Sequence, residues 1–287
     1  MESIKIGVIG GSGVYEVDGI EDLKEINVKT PFGDPSDSIM TGKLGGVGCA
    51  FLPRHGRGHR ILPTEVNSRT NIYALKSLGV EKIISISACG SLKGEFMPRD
   101  FAIPDQIYDR TKCRPSTFFG DGIVAHVAFG NPFCDGLRAV LKKCVDELGI
   151  PNHYGGTYVC MEGPAFSTKA ESETYRKLGF SIIGMTAIPE AKLAREAEIC
   201  YATVGLVTDY DCWKEHEEVS VDKVVEVVRE NVANVKKLIK LLIPRLAKVK
   251  STCACSEALK YAVMSKLDAK NEKTQKKLEL LLGKYKK

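Results

Sequence analysis

Short apolar runs that alternate with amphipathic helical segments constrain the fold of this chain most. The run IKIGVIG at residues 4–10 is predominantly apolar and leads into the glycine-rich turn GGSG, as expected of a strand buried on both faces of a sheet. Further strand candidates are VGCAFLP, KIISISAC, TYVCM and YATVGLV. Strands alternating with helices predict an α/β domain with a largely parallel or mixed sheet.

The helical segments lie between these strands. Residues 64–79 offer Thr64 as an N-cap and Gly79 as a C-cap. FCDGLRAVLKKCVDELGI has one apolar face, and residues 220–247 repeat valine, leucine and isoleucine at helical spacing. Since no linker interrupts this pattern, we expect one domain over residues 1–247 and a helical extension with a CxC motif over residues 248–287.

Size and charge narrow the classes of function. With 287 residues and 44% hydrophobic content, the chain can bury a substantial core. The net charge of +5 is small and partly due to the lysine-rich C-terminal segment, so the composition does not favour a nucleic-acid partner. Neither a signal peptide nor an apolar run long enough for a membrane span is apparent, so we expect a cytoplasmic protein without a membrane partner.

The C-terminal segment differs from the rest of the chain. SEALKYAVMSKL has the spacing of one further helix, and the last residues are rich in lysine. We expect a solvated terminus with some packing; a subunit contact is the alternative.

Ten cysteines are scattered along the chain without paired CxxC motifs of zinc spacing. Most are expected to be small buried apolar residues. Cys253 and Cys255 lie one residue apart in a polar segment, and we expect a strained local disulfide between them. Cys134 and Cys200 are candidates for a longer-range bridge. Such disulfides would indicate a hyperthermophilic source, where intracellular disulfides are common.

Several nucleotide and metal motifs are absent. GVIGGSGVYE lacks the third glycine of a dinucleotide fingerprint, and no GxxxxGK[ST] occurs. HEEVS has Ser220 where a zinc-protease motif needs a second histidine. These absences exclude NAD-binding, P-loop and zinc-protease interpretations.

Anion-binding residues follow three of the predicted strands. Ser12 lies in the GGSG turn, Arg54 and His55 begin RHGRGHR, and Ser87 begins the turn-like SACGS. Backbone amides, hydroxyls and arginine forks all suit a phosphate. Because ligands gather at the carboxyl ends of strands in such sheets, the three segments together predict an anion site.

Two carboxylates follow the last predicted strand, in LVTDYDCW. If the strand continues, alternation places Asp209 and Asp211 on the same side, where each makes the ionisation of the other harder.

The chain resembles the 5′-methylthioadenosine phosphorylases of the purine nucleoside phosphorylase family, which work as trimers or hexamers. The resemblance covers roughly residues 4–245 and rests on strings in matching order. These strings include TPFGDPSD, RHGRGH, SACGSL, RPSTFF, MEGPAFSTKAES, GMTAIPEAKLARE and CYATVGLVTDYDCWKEHEEVSVD. The resemblance implies a single-domain nucleoside phosphorylase fold, with a twisted mixed β-sheet flanked by helices.

The resemblance also implies a site made of several groups of residues. Phosphate is expected to bind Ser12, Arg54, His55, Ser87, the backbone of Ala88, and Thr186. Met185 is expected under the ribose, Phe166 against the purine, Ser167 near its edge, and Val221 and Val224 around the 5′ substituent. His126 matches a residue that the neighbouring subunit lends to the 5′ pocket, so a homotrimer or homohexamer is expected.

The implied reaction is phosphorolysis of 5′-methylthioadenosine to adenine and 5-methylthioribose 1-phosphate. Asp209 resembles the acid that assists departure of the base at N7, and Asp211 resembles the acceptor for the 6-amino group. Phosphate is the nucleophile, and no metal or cofactor is implied.

Three alternatives remain at this point. A broader purine nucleoside phosphorylase would also use adenosine, inosine or guanosine, although an Asp acceptor favours adenine over a 6-oxopurine. A binding or regulatory module would be expected to lack the N7 acid or the phosphate arginine, and this chain has both. A nucleic-acid binder using the basic terminus would bind with strong salt dependence.

Overall fold

The computed structural model of the chain describes residues 4–11, 17–214, 221–249 and 252–286, apart from the side chains of Lys223 and Ala269. Eleven strands form one sheet. They are β1 (Ile6–Gly10), β2 (Ile20–Ile26), β3 (Ile39–Leu44), β4 (Val47–Pro53), β5 (Lys82–Ser91), β6 (Phe101–Ile103), β7 (Gln106–Arg110), β8 (Asn152–Tyr154), β9 (Thr157–Met161), β10 (Ile182–Gly184) and β11 (Cys200–Asp209). The helices are α1 (Ser68–Ser77), α2 (Asp135–Glu147), α3 (Lys169–Lys177), α4 (Ala187–Glu196), α5 (Val221–Lys248), α6 (Glu272–Lys277) and α7 (Glu279–Leu282).

The centre of the sheet is parallel. β1 pairs with β4 and β5, and β5 pairs with β11, all in parallel, while β10 pairs with β5 in the antiparallel sense. One apolar core packs α2 and α5 against the central strands, and a second packs α1 and α4. The predicted mixed sheet with flanking helices is therefore confirmed, because the central strands are apolar enough to be buried on both faces.

The first helix begins later than the sequence pattern predicts. Asn67 is its N-cap, and its side-chain oxygen accepts a hydrogen bond from the backbone N–H of Thr70 at 3.3 Å. The prediction of Thr64 as the N-cap is wrong, because residues 62–66 form a separate turn closed by the backbone of Leu62. Gly79 follows the C-cap with φ +95°, as predicted for the end of this helix.

The C-terminal segment is partly exposed and partly packed, as expected, and its leucines enter the core. Leu259, Leu278 and Leu282 are at most 1% exposed and belong to the core that contains α1 and α4. The helix predicted over SEALKYAVMSKL is wrong: a 3₁₀ turn at Ala254–Glu257 is followed by further turns and a bridge between Val263 and Ala125. Tertiary contacts override the local helical pattern here, since the same apolar residues are buried in an irregular path.

This packing predicts a stability effect. Leu282→Ala should lower the free energy of unfolding by about 2–3 kcal/mol, because it removes buried methyl groups and leaves a cavity near an end of the chain that adjusts easily. Leu280, two residues earlier and 38% exposed, is a matched control, and Leu280→Ala should change stability by less than about 0.5 kcal/mol. Denaturant unfolding measures both, and equal stabilities of the two variants would contradict the packed terminus.

The cysteines are mostly buried, as expected: seven of the ten are buried and Cys113 alone is exposed. No disulfide joins any of the ten, all of which lie within the described ranges. The predicted bridge between Cys253 and Cys255, and a long-range bridge from Cys134 or Cys200, are therefore not supported. Instead the sulfur atoms of Cys134, Cys200, Cys253 and Cys255 all lie within 4.8 Å of one another. Among the helices of the described ranges, none is long and apolar enough to cross a bilayer.

Candidate active site

The candidate site lies at the carboxyl ends of β5 and β11, which run side by side. Gly205 pairs with Ser87, and Asp209 pairs with Gly90 after a bulge in β11. Ala88 is exposed, although its neighbours in the sequence of this central strand are buried. An exposed residue in the middle of a buried strand indicates an open space above the sheet at this point, where parallel α/β sheets bind their ligands.

Asp209 is the last residue of β11 and is held from two sides. Its Oδ2 accepts a hydrogen bond from the Thr208 hydroxyl at 2.6 Å, and its Oδ1 accepts one from the backbone N–H of Asp211 at 2.7 Å. Burial raises the pKa of Asp209, and these two hydrogen bonds oppose the rise. A Cβ at Gly90 would lie 2.9 Å from Oδ1, so a glycine is needed opposite this carboxylate.

Asp211 lies in the turn after the strand, with φ +51° and 3% exposure. Its Oδ2 is buried and has no hydrogen-bond partner among the residues that the structure describes. Burial is the largest cause that raises the pKa of Asp211, and the nearby Asp209 charge adds to it. The turn joins the two residues through the bond from the Asp211 backbone N–H to the Asp209 carboxylate. The strand does not continue to Asp211, because β11 ends at Asp209, so strand alternation does not place the two side chains.

The hydroxyls of Ser87 and Thr186 lie together in the site. Thr186 donates a hydrogen bond to Ser87 at 2.8 Å, which joins β5 to the start of α4. The Tyr158 hydroxyl is 3.4 Å from that of Thr186. The structure thus brings together two of the three hydroxyl residues that the resemblance assigns to phosphate, Ser87 and Thr186.

Arg54 is 3% exposed and forms a buried ion pair with Glu190 of α4. Its Nε donates to Glu190 Oε1 at 2.5 Å, and Nη2 donates to the Ser85 hydroxyl at 2.7 Å and to Glu190 Oε2 at 3.2 Å. Nη1 donates to the carbonyl of Ile86 at 3.0 Å. These bonds occupy four of the five guanidinium N–H groups, which leaves one on Nη1 for a ligand.

His55 is neutral near pH 7. Its Nδ1 lies 2.8 Å from the carbonyl of Ile61, which only accepts hydrogen bonds, so Nδ1 carries the proton. Burial, followed by the charge of Arg54, lowers the pKa of His55 to about 4. Its Nε2 is therefore a hydrogen-bond acceptor, and the residue lines the same small cavity as Arg54, Met185 and Thr186.

Arg114 holds the loops of the site in place. Nη1 donates to the carbonyls of Met185 at 2.5 Å and Ile188 at 2.8 Å, while Nη2 donates to the carbonyls of Met161 at 3.3 Å and Glu162 at 2.5 Å. It thereby ties the ends of β9 and β10 to the start of α4. Sequence reasoning quoted its motif but assigned it no role, and likewise missed Glu190 and Gly90. A glutamate within the apolar stretch that forms α4 was an available signal for Glu190.

The residues expected near the base and the ribose line the loop after β9 and the end of β10. Ser167 lies beside the turn that carries Asp211, since the Cys212 thiol is 3.3 Å from the Ser167 carbonyl. Met185 lines the cavity and approaches Gly163, where a Cβ would lie 2.5 Å from its sulfur. Phe166 is 46% exposed on the same loop.

Other expected residues do not join this cluster within the described part of the chain. Ser12 lies outside the described residues. Val221 is 65% exposed and Val224 half-buried at the start of α5, directly after residues 215–220, which are not described. His126 is exposed, and its backbone N–H donates to the carbonyl of Ala262 in the C-terminal segment.

Comparison with known proteins identifies the family. The sequence model of the Phosphorylase superfamily matches residues 5–244. S-methyl-5′-thioadenosine phosphorylase from Geobacter sulfurreducens is 54% identical, with 99% of this chain and 100% of that protein covered. The corresponding protein from Koribacter versatilis is 55% identical, with 98% of this chain and 96% of that protein covered.

Solved structures agree with the sequence comparison. A methylthioadenosine phosphorylase from an Antarctic soil metagenomic library superposes with a TM-score of 0.94 at 46% identity, covering 98% of this chain and 99% of that one. A variant of the adenosine/methylthioadenosine phosphorylase from Schistosoma mansoni, solved with methylthioadenosine, has a TM-score of 0.84 at 37% identity, covering 90% and 96%. The chain belongs to the Phosphorylase superfamily and, within it, to the S-methyl-5′-thioadenosine phosphorylases.

Proposed function

We propose that the chain catalyses phosphorolysis of 5′-methylthioadenosine to adenine and 5-methylthioribose 1-phosphate. One observation carries this proposal: the half-buried Asp209 and the buried Asp211 lie on the same sheet edge as the linked hydroxyls of Ser87 and Thr186. Ser87 and the partner of Asp209, Gly90, are three residues apart on β5, or about 10 Å. A phosphate, a ribose and a purine together fill a span of this size.

Asp209 would act at the base. Breaking the N-glycosidic bond builds positive charge on the ribose and negative charge on the departing base, so a proton or hydrogen bond given to N7 lowers the barrier. Burial raises the pKa of Asp209 and so favours the protonated form that this role requires.

Asp211 would select the base. Its buried Oδ2 has no hydrogen-bond partner in the described part of the protein, so it is available to accept from the exocyclic amine of adenine. A 6-oxopurine offers only an acceptor at that position. Its O6 and the Oδ2 of Asp211 would both be left without a donor, which costs free energy in a buried site.

Phosphate would bind between Arg54, His55 and the two hydroxyls. The remaining N–H on Nη1 of Arg54 donates to a phosphate oxygen, and Nε2 of the neutral His55 accepts from the protonated oxygen of hydrogen phosphate. The anion beneath the sugar then attacks C1′ and stabilises the developing ribose cation. Phosphate is thus consumed as a substrate, and the residues assigned here need no cofactor for this step.

The complete site would require an oligomer, which we place in the cytoplasm. His126 is exposed on one side of the chain and is not part of the cavity that Arg54 and Thr186 line. We therefore infer a homotrimer or homohexamer in which His126 reaches the 5′ pocket of a neighbouring subunit.

A direct assay tests the proposed function. Release of adenine from methylthioadenosine should require phosphate or arsenate and should yield 5-methylthioribose 1-phosphate. Methylthioadenosine, adenosine and inosine should be compared as substrates, and methylthioadenosine should have the highest kcat/KM. Base release without either anion would identify a hydrolase and contradict phosphorolysis.

Substitution of the base-selecting carboxylate should change the substrate preference. Asp211→Asn replaces one acceptor oxygen with a donor, so the ratio of kcat/KM for inosine to that for adenosine should rise about 10–100-fold. Asp105→Asn makes the same chemical change at an exposed carboxylate outside the site and should leave the ratio unchanged. An equal loss for both substrates in Asp211→Asn would contradict a role in base selection.

A further inference from the structure

Four cysteines from three separate parts of the chain converge at one point. Cys134 is the N-cap of α2, Cys200 is the first residue of β11, and Cys253 and Cys255 flank Ala254 after the end of α5. Their four sulfur atoms all lie within 4.8 Å of one another, and those of Cys200 and Cys253 are 3.3 Å apart.

Hydrogen bonds to backbone carbonyls hold together the parts of the chain that carry these cysteines. The N–H of Cys134 donates to the carbonyl of Tyr201, which joins the start of α2 to the start of β11. The Lys82 side chain donates to the carbonyl of Leu246 at 2.8 Å and to that of Val249 at 3.3 Å, so it fixes the end of α5 beside the same strands. In the described residues that follow, the thiols of Cys253 and Cys255 lie beside the other two.

The cluster is separate from the candidate active site. Cys200 begins β11 and Asp209 ends it, so the two places lie about 30 Å apart along a ten-residue strand. The cluster is also largely closed to solvent: Cys134, Cys200 and Cys255 are 5%, 6% and 8% exposed and belong to the core of α2 and α5.

The geometry suits a tetrahedral metal ion. A zinc ion bound by four thiolates has Zn–S distances of about 2.3 Å, which places the sulfur atoms about 3.8 Å from one another. The Cys200–Cys253 distance of 3.3 Å and the upper limit of 4.8 Å for all pairs lie on either side of this value. Four sulfur ligands in a tetrahedron favour zinc or iron over the harder divalent cations.

The surroundings also suit a site of negative charge. Cys134 lies at the N-terminus of α2, a helix of thirteen residues, where the unpaired backbone N–H groups and the helix dipole stabilise thiolates. Hydrogen bonds to ligand sulfurs from such groups are a common feature of thiolate metal sites.

We propose that Cys134, Cys200, Cys253 and Cys255 form a structural zinc site that fastens the C-terminal segment to the domain. All four ligand positions are filled by protein, so the ion has no open position for catalysis and serves the fold alone. By joining α2, β11 and the chain after α5, it would fix the point at which residues 252–286 begin their path across the core. The spacing CxC and two distant cysteines kept this site out of reach of a search for paired CxxC motifs.

Metal analysis tests the proposal. The full chain, purified with a reductant and without chelators, should contain about one zinc ion per chain, as measured by inductively coupled plasma mass spectrometry. Each of Cys134→Ser, Cys200→Ser, Cys253→Ser and Cys255→Ser should reduce the zinc content at least tenfold. Cys144→Ser is the matched control, because Cys144 is a buried cysteine of α2 outside the cluster; it and Cys113→Ser should retain the zinc.

A second measurement covers variants that fail to fold. Cobalt exchanged into the wild-type protein should give the visible bands of tetrahedral Co²⁺ and the ultraviolet charge-transfer bands of thiolate ligands. Removing the metal with a chelator and a mercurial reagent should lower the melting temperature and expose residues 252–286 to proteolysis. None of these measurements depends on whether the protein has phosphorylase activity. The proposal therefore stands or falls separately from the proposed function.

Three outcomes would overturn the site. Protein purified without reductant that contains two disulfides among these four cysteines, and no zinc under reducing conditions, would show that the cluster is a disulfide centre. Alternatively, thiol titration after denaturation could find ten free thiols, while the folded protein takes up neither zinc nor cobalt. That result would show that the four cysteines are only packed thiols. Iron in place of zinc would overturn the choice of metal.

Discussion

Replacing Asp209 with alanine is expected to lower kcat for methylthioadenosine phosphorolysis by about 10²–10⁴-fold, because the departing base loses its acid at N7. The fold should be retained, since the change removes a half-buried carboxylate whose charged form is disfavoured by its surroundings. Release of adenine in the presence of phosphate measures the rate, and circular dichroism with thermal unfolding checks the fold. A variant as active as the wild type would remove the assignment.

The pH dependence separates proton donation from hydrogen bonding. Because the folded-state pKa of Asp209 is raised, the protonated acid persists to higher pH than for an ordinary aspartate, and the rate should fall as pH rises through that pKa. Asp209→Asn keeps a hydrogen-bond donor of similar size but has no proton to titrate. We expect Asp209→Asn to retain more activity than Asp209→Ala and to lose the fall of the rate at high pH. If Asp209→Asn keeps the same fall, another group is responsible for it.

Replacing Arg54 with alanine is expected to lower the free energy of unfolding by about 3–5 kcal/mol, besides weakening the use of phosphate. Arg54 and Glu190 form a buried pair with side-chain exposures of 4% and 2%, so the variant leaves the Glu190 carboxylate buried without its cation. Thermal or denaturant unfolding measures the loss. Arg57→Ala is a matched control in the same loop, because the exposed Arg57 pairs with Glu25 and Asp37 and should contribute at most about 1 kcal/mol.

A double variant separates the two roles of Arg54. Arg54→Met combined with Glu190→Gln removes both charges while keeping volume and an acceptor for the hydroxyl of Tyr201, which donates to Glu190 at 2.9 Å. Most of the stability should return, because replacing a buried ion pair with neutral groups is often close to neutral. Saturation by phosphate should stay impaired. A double variant that regains normal phosphate saturation would show that Arg54 acts only through the fold.

Much of the site was predictable because local patterns position it. The strand ends that carry Ser87 and Asp209 are apolar runs followed by polar residues, and parallel strands bring such ends to one edge of a sheet. The roles of Glu190 and Arg114 were not predictable from spacing. Glu190 is 136 residues from Arg54 in the sequence, and Arg114 serves the site only through backbone carbonyls, which no residue pattern records.

The amino-acid sequence by itself determined the alternation of strands and helices, the buried centre of the sheet and the strings of the phosphorylase family, because each depends on hydrophobic periodicity or on contiguous residues. Only the tertiary structure decided the path of the C-terminal segment, the turn that joins Asp209 to Asp211, and the meeting of Cys134, Cys200, Cys253 and Cys255. These features depend on contacts between residues far apart in the chain or on a backbone turn with positive φ. Local propensity is a small free energy there, and burial of side chains against distant partners outweighs it.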